Sequence, residues 1–181
     1  MDNQRSRFEA EVLPHLNAAY RFARWLSQSR GDAEDIVQEA MLRAFRGFEA
    51  LRGPDVKAWL LAIVRNCHAT AQRQRRRHVL VPLPPEDDTQ DGEAMRAMGP
   101  GPEAASIERD EGRMLERLIA ALPEEQRLTL LLKEVEDLPY REIARITNVP
   151  IGTVMSRLAR ARAALRMRWP REVKGESRGV R

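Results

Sequence analysis

The stretch from Leu138 to Arg168 limits the possible folds of this chain more than any other, because its pattern is typical of two helices joined by a tight turn. The first helix is predicted from about Tyr140 to Ile146. Asn148 lies where the chain must reverse, and asparagine tolerates the left-handed backbone conformation that a tight turn often requires. Pro150 suits the opening of the second helix, since its missing N–H is not needed there. We therefore predict a helix-turn-helix.

Charge on the second helix indicates the kind of partner. From Ile151 to Arg171 the chain carries six arginines and no acidic residue. A helix of one charge sign beside a compact turn suits a polyanion, and the groove of DNA is the polyanionic site that this motif usually enters. The alternative is a solvated basic face on a helical bundle. Val154 and Leu158 are predicted to face the core.

Composition restricts the other classes of function. The single cysteine, Cys67, excludes an internal disulfide and suits a reducing compartment. No apolar run approaches the roughly 20 residues of a membrane span, and the N-terminus lacks a signal-peptide core. We therefore expect a cytoplasmic protein. The chain has no glycine-rich phosphate loop and no zinc-ligand spacing, so we predict no cofactor, no metal and no catalytic residue. Cys67 and His68 are adjacent, but neighbours on a helix point about 100° apart, which argues against a nucleophile–base pair.

Three regions and a tail differ in composition. Residues 1–79 show helical apolar stripes and predict one helix that ends at Gly31, a second from an Asp32 N-cap to about Phe45, and a third from about Asp55. The third helix is predicted to bury one face. That face contains Val56, Trp59, Leu60, Ile63, Val64 and Cys67.

Residues 80–107 are rich in proline and carry five acidic residues between Glu86 and Glu93. With few large apolar side chains this segment cannot easily offset the entropy of ordering, so we predict a flexible linker. A segment that lies extended along a basic channel of a partner is the alternative. Residues 108–170 predict a compact four-helix unit that ends in the helix-turn-helix, and residues 171–181 a loose tail. The expected fold is therefore all-α, with two small helical domains joined by the linker.

Three segments, in this order, resemble the extracytoplasmic-function (ECF) sigma factors, a group of the bacterial sigma-70 family. They are GDAEDIVQEAMLRAFRGF (residues 31–48), KAWLLAIVRNCHATAQRQRRR (residues 57–77) and LIAALPEEQRLTLLLKEVEDLPYREIARITNVPIGTVMSRLARARAALR (residues 118–166). The resemblance implies a sigma factor that binds core RNA polymerase, recognises the −10 and −35 promoter elements and starts transcription of a stress- or signal-responsive set of genes. It also implies an anti-sigma factor, often membrane-bound, that holds the protein inactive.

The resemblance assigns three sets of contact residues. The side of the second helix that would contact the clamp helices of the largest polymerase subunit contains Asp35, Gln38, Glu39, Leu42 and Arg46. A further polymerase contact is expected at the flap of the second largest subunit. The expected −10 contacts are Glu49, Arg52, Asp55, Arg65, Asn66, Arg73, Arg76 and Arg77. The expected −35 contacts are Thr153, Ser156, Arg157, Arg160 and Arg162.

Some alternatives stay open at this point. The resemblance also implies that the loop from Phe48 to Asp55 holds a base extruded from the −10 element. Its polar candidates are Glu49, Arg52 and Asp55, and the sequence does not decide which of them reads that base. Many relatives carry lysine or arginine where this chain has Met155, which puts one −35 contact in doubt. The chain could instead be a sigma-like decoy that binds only a regulator, or an ordinary dimeric helix-turn-helix repressor.

Overall fold

The computed structural model describes residues 2–27, 29–51, 55–78 and 112–173, and all regular secondary structure in these ranges is helical. The N-terminal module comprises α1 (Asp2–Val12), a 3₁₀ turn (Leu13–His15), α2 (Leu16–Leu26), α3 (Arg30–Gly47), a 3₁₀ turn (Phe48–Ala50) and α4 (Val56–His78). The C-terminal module comprises α5 (residues 112–120), α6 (Glu124–Glu134), α7 (Tyr140–Thr147) and α8 (Ile151–Val173). The all-α prediction and the four-helix unit are confirmed. The predicted linker at 80–107 lies outside the described residues.

The prediction of a single first helix ending at Gly31 is wrong. Pro14 interrupts the helical stretch, and the chain passes through a short 3₁₀ turn before α2 begins. Proline lacks the backbone N–H that a continuous helix requires, and its ring clashes with the carbonyl of the preceding turn. The sequence pattern missed this break because the apolar spacing continues across it, from Phe8 and Val12 on α1 to Ala19 on α2.

The predicted Asp32 N-cap is also wrong. Ser29 is the N-cap of α3, and its hydroxyl oxygen accepts a hydrogen bond of 3.1 Å from the backbone N–H of Asp32. Serine caps helices in this way because its oxygen reaches an otherwise unpaired N–H of the first turn. Gly31 and Asp32 therefore lie inside the first turn of α3, where the Asp32 carboxylate is favoured by the helix dipole.

The start of α4 agrees with the prediction. The Asp55 carboxylate accepts a hydrogen bond of 2.8 Å from the backbone N–H of Ala58, as an N-cap does. Leu60, Val64 and Cys67 are buried on the predicted face, and Trp59 packs partly buried against the same core. This agreement confirms the assignment of Trp59 to the core.

The helix-turn-helix agrees with its sequence pattern in detail. Asn148 adopts the left-handed conformation, with φ 54° and ψ 49°, directly after α7. The residue thereby ends α7 and turns the chain into α8. Val154 and Leu158 are fully buried on the inner side of α8, as predicted. The helix continues to Val173, three residues into the predicted tail.

The two modules pack against each other. Helices α2 and α4 of the N-terminal module contact α6 and α7 of the C-terminal module, and one continuous apolar core includes residues of both. We name this contact the seam and define it by Arg21, Lys57, His68, Glu124 and Glu136. The sequence predicts both modules but not this packing.

Candidate nucleic-acid and polymerase interfaces

The predicted −35 residues lie on different sides of α8. Arg160 is exposed, whereas Thr153 and Ser156 are half-buried and the Ser156 hydroxyl donates a hydrogen bond of 3.0 Å to the Thr153 carbonyl. Arg162 is exposed and donates from Nε to the Glu134 carboxylate of α6 at 3.0 Å. Of these residues, Arg160 and Arg162 therefore have exposed side chains, and Arg162 is paired with Glu134.

Arg157 has a different orientation. Its side chain is only 15% exposed and forms an ion pair with Glu125 of α6. The guanidinium therefore lies on the flank of α8 that faces α6. The outer side of the N-terminal half of α8 instead carries three exposed apolar residues, Ile151, Met155 and Ala159. Helical periodicity could not distinguish these two flanks, because the distinction depends on where α6 lies.

The predicted −10 residues follow one side of α4 and the turn before it. Arg73, Arg76 and Arg77 are exposed near the C-terminal end of the helix. Arg65 is half-buried, and its Nη1 donates a hydrogen bond of 3.2 Å to the side-chain oxygen of Asn66. This arrangement concentrates positive charge on the last two turns of α4.

The turn before α4 holds the remaining −10 candidates. Glu49 is exposed in the 3₁₀ turn that follows α3. Asp55 is already engaged as the N-cap of α4, so its carboxylate is only partly available to a base. Arg52 lies outside the described residues. Of the two described carboxylates, Glu49 is therefore the more exposed.

The predicted polymerase-binding side of α3 forms one surface. Asp35, Gln38, Leu42 and Arg46 are exposed, and Glu39 is half-exposed and accepts a hydrogen bond of 2.6 Å from Arg43 Nε. Phe45, which is absent from the predicted set, is also exposed beside them. Large apolar side chains among charged ones are typical of a protein-binding surface. An aromatic residue among charged ones on this helix could have predicted that Phe45 belongs to the surface.

Glu136 is the central residue of the seam. Its side chain is 0% exposed, and both carboxylate oxygens accept hydrogen bonds from Arg21, at 3.0 Å from Nε and 3.1 Å from Nη2. Lys57 Nζ lies 3.0 Å from the same carboxylate and donates to the Glu136 carbonyl at 2.8 Å. A buried carboxylate is tolerated only when it is paired in this way. Two cations of the N-terminal module thus hold one anion of the C-terminal module.

Backbone geometry brings Glu136 into this position. The chain leaves α6 in a tight turn in which Asp137 has a positive φ of 49°. The backbone N–H of Leu138 donates to the Leu132 carbonyl at 3.0 Å and closes the turn. Aspartate is one of the few residues that adopt this conformation readily. The turn therefore directs Glu136 inward and leaves Asp137 exposed, where its carboxylate accepts from Lys133 at 2.7 Å.

His68 lies at the other end of the seam. Its side chain is 7% exposed, and Nδ1 is 4.0 Å from the Glu124 carboxylate of α6. Burial lowers the pKa of His68, and the Glu124 carboxylate opposes that shift. A small cavity of about 200 Å³ adjoins the imidazole; its lining includes Arg65 of α4 and Leu128 of α6. One −10 candidate, Arg65, therefore borders the C-terminal module.

The Cys67–His68 pair has the geometry of core residues. The Cys67 thiol is buried, and burial raises its pKa, which disfavours the thiolate that a nucleophile requires. Among the described residues no group of three or more histidine, cysteine, aspartate or glutamate side chains could hold a metal ion. In the same ranges, each helix is too short or too polar to cross a lipid bilayer.

Comparison with known families supports the division into two modules. The family description "Sigma-70 region 2" matches residues 12–78. The family description "Sigma-70, region 4" matches residues 112–165. The first range begins at the end of α1 and includes α2 to α4, and the second runs from the start of α5 into α8.

Curated relatives match along most of this chain. The ECF RNA polymerase sigma factor SigE of Mycolicibacterium smegmatis is 34% identical over 155 residues, which are 86% of this chain and 58% of that protein. The chain thus spans less than two thirds of the mycobacterial relative. The ECF RNA polymerase sigma-E factor of Escherichia coli K12 is 34% identical over 139 residues, covering 75% of this chain and 72% of that protein.

Solved structures of other proteins show the same fold. The sigma factor RpoE, solved in complex with the anti-sigma factor NepR from Bartonella quintana, has a TM-score of 0.69 and 29% identity, and the match covers 89% of this chain and 95% of that chain. CnrH, solved with the cytosolic domain of CnrY, has a TM-score of 0.62 at 21% identity and supports the fold alone. With both regions matched in order and a well-covered relative at 34% identity, the chain belongs to the ECF sigma factors of the sigma-70 family.

Proposed function

We propose that this sigma factor binds core RNA polymerase through the outer side of α3, recognises the −10 element with α4 and the turn before it, and recognises the −35 element with α8. The observation that carries the proposal is the presence of two separate basic surfaces, one on each module. The first is the arginine-rich C-terminal end of α4, and the second is α8. Two surfaces on one chain suit two elements on one duplex, because each raises the effective concentration of the other.

The chemistry of α4 suits strand separation. Exposed arginines at 73, 76 and 77 can hold the phosphate backbone, while the neighbouring amide of Asn66 can form hydrogen bonds with unstacked bases. Extruding a base costs a few kcal/mol, which polar groups in the α3–α4 turn would offset. Glu49 and Asp55 are proposed for the −10 contact because they lie in the α3–α4 turn, and Arg65 because it lies further along α4. Arg52 is proposed from its position in the sequence alone, since it lies outside the described residues. In this mechanism the chain positions DNA and polymerase and performs no catalysis itself.

Promoter binding requires the seam to open. The labels −10 and −35 place the two elements about 25 base pairs apart, or about 85 Å along straight B-DNA at 3.4 Å per pair. In the closed chain the modules touch, with Lys57 and Glu136 at 3.0 Å, and the 23-residue α8 is itself only about 35 Å long. A segment as long as residues 79–111 can reach at most about 110 Å, so the chain is long enough for the open state.

An anti-sigma factor is the proposed regulator. RpoE from Bartonella quintana, the 29% identical structural neighbour, was solved with its anti-sigma factor NepR. A partner of this kind would stabilise the closed chain, since any ligand that binds one state better shifts the population toward it. We propose that the protein acts in the cytoplasm, where polymerase and DNA are found, and that any association with a membrane would be indirect, through the anti-sigma factor.

In-vitro transcription with purified core polymerase tests the proposal. The template is a genomic promoter library, and the 5′ ends of the transcripts are mapped. We expect discrete start sites that share two upstream elements at fixed spacing and that disappear when the chain is omitted. Initiation that does not depend on the chain would refute the proposal. A template library with each element scrambled serves as the control for sequence-specific initiation.

Two alternative functions, a sigma-like decoy and a dimeric repressor, can be distinguished from a sigma factor with the same purified proteins. A decoy would bind its regulator without supporting initiation, and Arg160→Ala would then leave every activity unchanged, whereas a sigma factor should lose −35 preference. A dimeric repressor would sediment as a dimer and select a palindromic site. A monomer that selects two unlike elements would exclude the repressor.

A further inference from the structure

The outer side of the N-terminal half of α8 is apolar. Met155 is 54% exposed and Ile151 is 41% exposed, and Ala159, one turn further on, is exposed as well. These residues are spaced four apart, so they share one side of the helix. Val154 and Leu158 fill the inner side. The first turns of the recognition helix therefore present an apolar strip to the outside.

No guanidinium shares this strip in the first two turns. Arg157 is directed to Glu125 of α6, and the exposed arginine of α8 that comes first in the chain is Arg160. The usual reading of guanine needs an arginine or lysine that approaches the base edge along the groove. This part of α8 instead offers a thioether and a methyl group.

The surroundings of the strip favour DNA as its occupant. Exposed Arg141 and Arg145 of α7 line an open cleft with Ile151 and with Glu142, which pairs with Arg145. Helix α8 itself carries only positive charge from residue 151 to residue 171. This excess of positive charge complements the phosphates of DNA. The apolar group that the major groove offers is the C5-methyl group of thymine. Methionine is flexible and polarizable, so it can pack closely on such a methyl group.

We propose that Met155 is a specificity-determining residue that contacts the C5-methyl group of a thymine in the −35 element, with Ala159 packed beside it. The inference rests on the proposed function, since it requires α8 to enter the major groove at that element. At one position of the −35 element this chain therefore selects thymine.

Replacing thymine by uracil tests this directly, because it removes only the methyl group. Holoenzyme assembled from the full chain and core polymerase first selects promoters from a library with a randomised −35 region. The selected promoter is then synthesised with uracil at each −35 thymine in turn. We expect one substitution to weaken binding about fourfold, which corresponds to the roughly 0.8 kcal/mol of a buried methylene.

Three variants locate the effect. With Met155→Ala the uracil effect should disappear, and with Met155→Arg the selected base at that position should change to guanine. Met167→Ala is the matched control, because Met167 is 69% exposed on the same helix but lies three turns further along. It should keep the uracil effect. Circular dichroism is used to check that each variant is folded.

The outcomes separate the two proposals. If no uracil substitution matters while the holoenzyme still requires the −35 element, the role of Met155 is refuted and the proposed function stands. If Met155→Ala keeps the full uracil effect, the methyl group is read elsewhere and the inference also fails. Should the strip instead be covered by an anti-sigma factor, Met155→Ala would weaken that complex alone. Absence of any promoter-specific initiation would refute the proposed function itself.

Discussion

The substitution Glu136→Gln should release the C-terminal module from the N-terminal module. The Glu136 carboxylate is fully buried and accepts from Arg21 at 3.0 and 3.1 Å, with Lys57 also at 3.0 Å. Glutamine has nearly the same shape but carries no charge. It therefore leaves two cations beside a neutral amide, and both cations regain water when the seam opens.

The free-energy cost of Glu136→Gln to the closed chain follows from these contacts. Removing one partner of a buried ion pair costs about 3–5 kcal/mol, because a buried charge is left uncompensated. Arg21 and Lys57 keep side-chain exposures of 34% and 28%, so water already stabilises them in part, and we expect the lower end of that range. A loss of about 3 kcal/mol lowers the ratio of closed to open chain roughly 150-fold.

Distance measurement between paired labels detects the opening. Ser6 on α1 and Ala163 on α8 are exposed, and cysteines at these positions can carry spin labels while the native Cys67 stays buried. The wild-type chain should give a narrow distance distribution, and Glu136→Gln a broader one shifted to longer distances. Unchanged helical content by circular dichroism shows that the modules stay folded.

The control is Glu142→Gln. Glu142 pairs at 3.1 Å with Arg145 inside α7, so its loss removes an ion pair without touching the seam, and the distance distribution should not change. If Glu136→Gln proves unfolded, Lys57→Gln replaces it, since Glu136 then keeps Arg21, and a smaller lengthening is expected. Identical distributions for the wild-type chain and a folded seam variant would refute the idea that this ion cluster holds the modules together.

Three further predictions concern separate sites. Leu42→Asp should weaken binding to core polymerase at least tenfold by surface plasmon resonance, because it places a charge in an apolar contact; unchanged affinity would exclude this side of α3. Burial lowers the pKa of His68, so the contribution of the neutral imidazole to stability should be complete above the ordinary pKa of about 6.5 and fall below it. The urea midpoint should therefore drop between pH 7.5 and 5.5 more in the wild type than in His68→Gln. Equal drops would contradict the role of burial. Asn148→Ala should lower stability by about 1 kcal/mol in thermal melts because φ is 54°, whereas Asn148→Gly should be nearly neutral; an equal loss in both would show that backbone conformation is not the cause.

Turn and burial positions of the helix-turn-helix could be predicted from the sequence because they depend on residues close together in the chain. Asn148, Val154 and Leu158 were placed correctly, because turn chemistry and helical spacing act within a few residues. The same reasoning chose Asp32 as a cap where Ser29 performs that role, since both residues have suitable side chains and only the course of the backbone decides between them. Boundary positions are where competing local signals are most evenly matched.

Features that depend on two distant segments could not be predicted. Leu61 and His68 are buried although they lie outside the predicted stripe of α4. They share a side of the helix with Lys57, which pairs with Glu136, so this side of α4 faces the second module. Likewise, nothing in the sequence of α8 indicated that Arg157 would turn to Glu125. Such pairings across 32 or more residues require the packed structure.

The burial of Leu61 has a consequence for the lifetime of the separated modules. Its side chain is fully buried on the side of α4 that carries the seam residues Lys57 and His68. Separation of the modules therefore exposes an apolar patch while the chain is open but not yet bound to DNA. Freshly opened molecules should self-associate in proportion to their concentration, and the variant that opens most readily should also be the one that precipitates first.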